Sequence, residues 1–521
     1  MARTSEAGPL LSGGDDPGGD RFPPPAGPLP RTDVVVLAAA VLAGVVLRVW
    51  VLGSPLGVLS SDEAIVGLMA RHALSDGQIT AFFWGQPYGG SLEPLLAAGL
   101  FAVVGSSTIA LKMVPLVLSA VATLLIVPVG RPLVGDRVAR YAAAAFWVSA
   151  ANFIWWSTKA VGFYWSCLIL GLLFLLLVLR LVERPEGVVR WAVLGLVGGL
   201  GWWTSPQMLH FVVPGLAWLV WRLRSRAVRG LAIAAVPALV GAAPWIWHNV
   251  RLGFPSLGSG ATPPVTFLAH MKSFVVQGVP VAIGLDQTIP LPGRPLVWAV
   301  YLGLGAATAV GLLRRPPRAW PWLLLLVVGL YPFVYSLFPT VPIVGEGRYL
   351  LYLAPFLWLL ILGVAPRRPW VLPVALVPMV ALSVVSLVRI RDVNVPIAPD
   401  VRMPNDDRAL VAFLEHRGVT RLVANYWIAY RVAFETQERI VATPVNPDQN
   451  RFQPFADAVL LGPPRPYAFV RTSRDDRVFR AKTTGHPWCY RRHVVDRFVV
   501  YLPNEKLPPE QAAACPRVES E

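Results

Sequence analysis

Two adjacent carboxylates, Asp62 and Glu63, stand shortly after the first long apolar run of the chain, and a third acid, Glu93, follows in the same loop. Acidic side chains beside a membrane span are scarce and costly, so such a pair invites a functional reading. Carboxylates in that setting can take a proton as general base or share in holding a divalent cation. Helix capping competes with this: Ser60 or Ser61 can cap a short helix whose first turn favours acids.

The elements that must position these acids are set by composition. The 521 residues are 55% hydrophobic, with mean hydropathy +0.55, as in multi-span membrane proteins rather than soluble ones. A net charge of +16 suggests nucleic acid at first sight. Most arginines, however, lie in short clusters between apolar runs, so anionic lipid head groups are the expected counter-charge and nucleic acid is not an expected partner. There is no zinc-type Cys/His spacing and no P-loop, and three cysteines are too few for a disulfide scaffold. Residues 1–33, rich in Gly, Pro and Asp, read as a disordered cytoplasmic tail. The apolar run from Val34 lacks a small-residue cleavage pattern and reads as a retained span.

A spanning helix needs about 20 apolar residues. Candidate spans are 34–53, 109–130, 138–154, 160–181, 190–204, 207–222, 230–248, 295–313, 320–338, 348–365 and 369–388. Arginines cluster at 131/137/140, 180/184/190, 222/224/226/229, 314/315/318 and 367/368, in every second inter-span loop. The positive-inside rule puts these clusters in the cytoplasm of a plasma membrane. Eleven spans result, with residues 54–108 as one external loop and the C-terminus outside. The apolar stretch 92–104 is too short for an easy crossing, so it lies on or dips into the membrane; a short tilted crossing is the alternative. The opposite loops collect diverse side chains: Gln86, Tyr88, Trp155, Lys159, Tyr164, Trp203, Gln207, His248, Asn249, Arg251, Lys272, Glu346, Arg348 and Tyr349. An interfacial aromatic belt accounts for most of the tryptophans but poorly for the acids.

After the 34–389 membrane region, residues 390–521 turn polar and read as a small extracytoplasmic α/β domain. Helical spacing spans 406–418, with Asp406 or Asn405 as cap and Gly418 as stop. Strand-like runs follow at 420–424, 438–442, 466–470 and 493–502. Cys489 and Cys515 both lie in this domain, where a disulfide can form. Cys167 reads as an inert core residue.

The loop SSDEAIVGLMARHALSDGQITAFFWGQPYGGSLEPLLAAGLFAVVGSSTIALKMVPLVLS resembles the first external loop of GT-C-fold, polyprenyl-phosphate-sugar glycosyltransferases. That superfamily includes protein O-mannosyltransferases and the lipid A aminoarabinose transferase. The shared features are an acidic pair after span one, an amphipathic helix, a Gly/Pro/Tyr turn and a short apolar helix. Segments 201–207 (GWWTSPQ), 244–251 (PWIWHNVR), 345–350 (GEGRYL) and the 421–444 stretch are similar to those of bacterial transferases of this type.

The resemblance implies a mainly α polytopic fold and an inverting transfer from a polyprenyl-phosphate sugar to an extracytoplasmic acceptor: glycolipid, cell-wall glycan or protein. Asp62 would be the base, with Glu63 orienting it or holding the acceptor. Glu93 would be a second acid that, with Asp62, could help hold Mg²⁺ or Mn²⁺. Arg348, Lys159 and Arg251, with Lys272 behind them, are the phosphate candidates; snorkelling is the alternative for Arg348. Tyr88, Trp155 and Trp203 are candidates to stack on a sugar, and Gln86, Tyr164, Gln207, His248, Asn249, Glu346 and Tyr349 to line the site. His248-Asn249 also reads as a helix end. The chain lacks the Lys-Pro-Pro turn of the aminoarabinose transferases, so that substrate is not carried over, and it lacks the MIR insert of eukaryotic protein mannosyltransferases. A polytopic transporter or lipid flippase is the competing class. It would show repeats and midplane charges, whereas here polar groups gather at one face.

Overall fold

The computed structural model describes residues 28–258, 266–285, 294–316, 321–337, 347–366, 368–390, 396–398, 401–461, 465–504, 506–508, 510–511 and 514–516. Glu346, Arg367 and most of the expected N-terminal tail lie outside the described residues.

The membrane region is helical: α1 (Arg31–Gly53), α2 (Ser61–Ser75), α3 (Leu92–Val104), α4 (Thr108–Val134), α5 (Asp136–Val148), α6 (Ala151–Trp156), α7 (Tyr164–Glu183), α8 (Val188–Thr204), α9 (Leu209–Leu223), α10 (Ser225–Gly241), α11 (Ala243–Leu252), α12 (Pro255–Gly258), α13 (Phe267–Ser273), α14 (Val279–Ala282), α15 (Arg294–Leu313), α16 (Trp322–Leu337), α17 (Ala354–Val364) and α18 (Val371–Ile390). Among the described residues, five helices (α1, α4, α7, α15 and α18) are long and apolar enough to cross a membrane, and α10 with α11 makes a sixth candidate bent by 62°. Helices occupy all eleven expected stretches, but several are too short alone. The expected 138–154 span is two helices broken at Ser149–Ala150, and the expected 348–365 span is helical by α-type bonding only over α17.

Arginines of two clusters tie helix ends together. Arg137 donates to Asp33 at the start of α1 (2.6 and 2.9 Å) and to Pro369 O (2.7 Å). Arg315 donates to Gly363 O (2.6 Å). Charge-assisted bonds to carbonyls and a carboxylate thus tie together segments far apart in sequence.

The C-terminal region holds β1 (Pro396–Ala398), β2 (Val401–Arg402), α19 (Arg408–His416), β3 (Arg421–Ala424), α20 (Tyr426–Glu435), β4 (Val441–Pro444), α21 (Gln453–Leu460), β5 (Tyr467–Val470), α22 (Arg474–Thr484), β6 (Tyr490–Val495) and β7 (Phe498–Pro503). The sheet runs β4-β3-β5-β7-β6, with β3 parallel to both neighbours and β7 antiparallel to both of its own. Period-two alternation buries both faces: Leu422, Ala442, Ala468 and Val500 on one, Val423, Tyr467, Phe469 and Val499 on the other. The stretch expected as one strand over 493–502 is a hairpin. Its two-residue turn needs a left-handed residue, and Asp496 supplies it (φ 52°). Helix α19 begins later than expected, with Asp407 as cap residue and Asp406 bonding the Arg408 amide (3.0 Å). Cys489 and Cys515 form a disulfide, and Cys167 is buried and free.

The helix after α1 docks on this domain. Ala64, Ile65 and Leu68 of α2 share a core with Tyr426, Tyr430, Phe434, Phe452 and Phe455. Burying a side chain such as Phe434 stabilises by about 2–3 kcal/mol. Gly67 makes the approach possible: a Cβ there would lie 2.3 Å from the Phe434 ring. Around this core, Arg71 donates to Phe434 O (2.7 Å), His72 bonds Glu438 (3.0 Å), and Gln437 donates to Ser106 O (3.3 Å).

Candidate active site

Helix α2 opens with a capping box. Ser60 Oγ accepts from the Glu63 amide (3.4 Å) and the Ser60 amide donates to Glu63 Oε2 (3.0 Å). The capping reading therefore describes Glu63, and the side chain does more. It is 0% exposed and takes Lys112 Nζ on Oε1 (2.6 Å), Lys159 Nζ on Oε2 (3.1 Å) and the Ala160 amide (3.2 Å). Burial alone would raise its carboxyl, but the ammonium groups of Lys112 and Lys159 overcome that and hold it at about 2. Lys159 also donates to Val58 O. This amine, a phosphate candidate in the sequence, is thus turned into the protein.

Asp62 sits one residue around the helix, half-buried, and points elsewhere. It accepts a hydrogen bond from the Tyr426 hydroxyl of α20. Tyr88, 41% exposed, lies within electrostatic reach of Arg451, Tyr349, Arg348 and Asp62. Arg348 lies against an aromatic cage, 4.8 Å from the Tyr349 ring centre, 5.4 Å from Trp156 and 6.0 Å from Tyr164. Arg451 donates to Gly85 O (3.4 Å). With the amide oxygen of Gln86 turned toward it, Gln86 accepts from both of its terminal nitrogens (3.1 Å each). From the C-terminal domain, Tyr426 holds Asp62 and Arg451 reaches Gln86, two residues before Tyr88, while Arg348 and Tyr349 lie within electrostatic reach of Tyr88.

The turn that presents Tyr88 is built by close approach. Gly89 has φ +77°, and a Cβ there would lie 2.4 Å from Phe163. The Gly90 amide donates to Thr204 O (2.9 Å) and Trp203 Nε1 donates to Ala81 O (2.7 Å). Trp203 is buried in this role, and Trp155 Nε1 similarly bonds Leu56 O (3.0 Å).

Other candidates lie apart. Glu93 is buried at the start of α3, accepting from the Ser166 amide (3.1 Å) and hydroxyl (2.9 Å). Burial outweighs these bonds and raises its carboxyl to about 7. Asn249 is buried and closes the end of α11, bonding Trp245 O (2.9 Å) and the Ser256 amide (3.1 Å). Gln207 lies in a short 3₁₀ turn at Pro206–Met208. Lys272 is exposed on α13. Gln86, His248 and Arg251 line a cavity of about 550 Å³ with Thr80, Phe82, Trp84 and Trp247. A second cavity of about 460 Å³, almost wholly apolar, runs between α7, α8, α9, α10 and α11 past Trp202, Leu216 and Leu239.

The acids do not fit a divalent cation. Both oxygens of Glu63 carry ammonium partners, Glu93 is held by Ser166, and among the described residues no group of three or more His, Cys, Asp or Glu side chains could hold a metal ion.

Sequence reasoning passed over Lys112, Tyr426 and Arg451. A lone lysine in an apolar run signals a buried partner, and Lys112 carries that signal. Tyr426 and Arg451 carry none, because their partners are remote in sequence.

No protein-family model matches the chain, and no curated protein matches it. Among solved structures it is similar to ArnT from Cupriavidus metallidurans bound to undecaprenyl phosphate, at 13% identity and TM-score 0.58, covering 90% of this chain and 97% of that one. The apo form of the same protein gives TM-score 0.57 at the same identity and coverage. An oligosaccharyltransferase from Archaeoglobus fulgidus in complex with Zn and sulfate aligns at 13% identity and TM-score 0.48, over 90% of this chain and 73% of that one. The likeness to ArnT defines the fold: a GT-C-type polytopic membrane architecture carrying a small mixed α/β domain.

Proposed function

We propose that the chain is a membrane glycosyltransferase that moves a sugar from a polyprenyl-phosphate donor to an acceptor hydroxyl on the outer membrane face. The observation that carries this is a carboxylate, Asp62, held by Tyr426, and a guanidinium, Arg348, caged by Trp156, Tyr164 and Tyr349, both within electrostatic reach of Tyr88. The apolar groove supports the lipid reading. Trp202 of α8 lines it, while the next two residues, Trp203 and Thr204, hold the 81–90 loop that carries Tyr88. A polyprenyl tail in the groove would bring its phosphate toward Arg348, whose planar fork suits two phosphate oxygens. ArnT's complex with undecaprenyl phosphate is in keeping with such a donor.

In the reaction, the acceptor oxygen attacks the anomeric carbon as its proton passes to Asp62. The carbon–oxygen bond to the lipid phosphate breaks, and the electron pair leaves with the phosphate, whose charge Arg348 meets. Attack from the face opposite the leaving group inverts the anomeric centre. The cavity bearing Gln86, His248 and Arg251 is the proposed approach for the acceptor, since aromatic walls with a few polar groups suit a carbohydrate. Glu63 acts by fixing the start of α2. A cytoplasmic N-terminus and an outer C-terminal domain follow from the arginine clusters. Transport is the weaker reading, because Asp62, Arg348 and Arg451 lie at or beyond the ends of the candidate spans rather than at mid-span.

Asp62→Asn tests the assignment. In membranes from a host lacking the gene, which supply donor and acceptor, the purified variant should form product at least about 100-fold more slowly. It should still bind undecaprenyl phosphate. Product formation at the wild-type rate would remove Asp62 as base.

A further inference from the structure

We propose that the C-terminal domain completes the active site, with Tyr426 and Arg451 positioning the Asp62 carboxylate for proton transfer. This rests on the reading of Asp62 as the base. Tyr426 is the first residue of α20, and it grips the start of α2 twice. Its carbonyl accepts from Ser61 Oγ (2.6 Å) and its hydroxyl donates to Asp62 Oδ1. Among the described residues Oδ2 has no protein partner, so one carboxylate oxygen is pinned and the other is left for a substrate proton. A carboxylate anchored at one oxygen keeps a single orientation, which is what a base acting on a bound hydroxyl requires.

Arg451 stands behind the pair. Its guanidinium lies 5.6 Å from the Tyr426 ring centre. Its backbone amide donates to Tyr430 OH (2.6 Å), one turn along α20. It also reaches Gly85 and Gln86, just before Tyr88. One side chain of the C-terminal domain thus links the base's anchor to the turn that presents Tyr88. Burial raises the Tyr426 phenol well above its ordinary range, which keeps it a proton donor toward the carboxylate.

Docking alone is the competing account, and it does not need this hydroxyl. Arg71 on Phe434, His72 on Glu438 and the Trp84–Phe452 stack (ring centres 3.9 Å apart) already hold the two regions together. The groups acting around Asp62 are Tyr426, which bonds it, and Tyr88, with Arg451, Arg348 and Tyr349 within electrostatic reach of Tyr88. Glu63, Lys112 and Lys159 form a separate buried set.

The test uses the full chain in membranes of the gene-deleted host, with product quantified by mass spectrometry across pH. Tyr426→Phe keeps the ring and the backbone contact to Ser61. It should lower the rate on the order of 10- to 100-fold and move the acid limb of the pH profile upward, because a donor to the charged carboxylate is gone. Melting temperature and undecaprenyl phosphate binding should stay at wild-type values. Arg71→Lys, which loosens the interface away from Asp62, should leave the acid limb in place. Wild-type rate and profile in Tyr426→Phe, with Asp62→Asn inactive, overturn the positioning role and spare the base. The same outcome holds if Arg71→Lys shifts the profile equally, since the hydroxyl is then only a docking contact. Full activity in Asp62→Asn overturns both.

Discussion

Glu63 offers a stability prediction whose size follows from its surroundings. One buried carboxylate faces two ammonium groups, so replacing the acid and replacing a lysine are unequal perturbations. Its carboxyl lies at about 2 against an ordinary 4.5. At about 1.4 kcal/mol per unit, its charge supplies on the order of 3 kcal/mol to the fold. Glu63→Gln forfeits that and leaves Lys112 and Lys159 facing a neutral amide, so a cost of about 3–5 kcal/mol is expected. Lys112→Met removes one charge-assisted bond but leaves Glu63 paired with Lys159, for a cost of about 1–3 kcal/mol. The double variant Glu63→Gln/Lys112→Met should be more stable than Glu63→Gln alone, because one uncompensated charge has gone. Thermal unfolding in detergent, followed by tryptophan fluorescence, reads the order. The sign with pH is set as well. The folded value is depressed, so the contribution is complete above about 4.5 and fades as pH falls toward about 2. A Glu63→Gln protein as stable as Lys112→Met at neutral pH would refute the account of this cluster.

Two further outcomes are expected. Glu93 is raised to about 7 from 4.5, so its contribution to stability is complete below about 4.5 and lost as pH rises through 7; Glu93→Gln should melt above wild type at pH 8 and level with it at pH 4. Gly67→Val would drive a side chain into Phe434, costing on the order of 1–3 kcal/mol; thermal unfolding in detergent should show the loss, and Phe434→Ala should relieve part of the effect.

The hydropathy runs and arginine clusters located most helices, because apolar length and loop charge are local properties. They misjudged 138–154, where the break at Ser149–Ala150 leaves no local mark in an apolar stretch, and 493–502, where a tight turn hides inside a strand-like run. The acids were visible as acids, but their fates were not. Asp62 and Glu63 are neighbours in sequence and differ because helical rotation sends one toward Tyr426 and the other toward Lys112. The Tyr426 contact joins residues 364 apart, beyond the reach of any local pattern. Trp155 and Trp203 have the composition of sugar-stacking residues, and only their N–H bonds to Leu56 and Ala81 reveal them as braces for the loops.

The docking of α2 on the C-terminal domain also constrains how often the chain crosses the bilayer. Gly85, before α3, touches Arg451, and Ser106, after α3, touches Gln437. Both flanks of α3 therefore meet one small domain on one side of the membrane, and a lone crossing by α3 would separate them. The domain lies beyond α18, so the chain must cross an even number of times between α4 and α18. Ten crossings, one for each stretch expected from the sequence in that interval, would meet this parity without any appeal to the arginines.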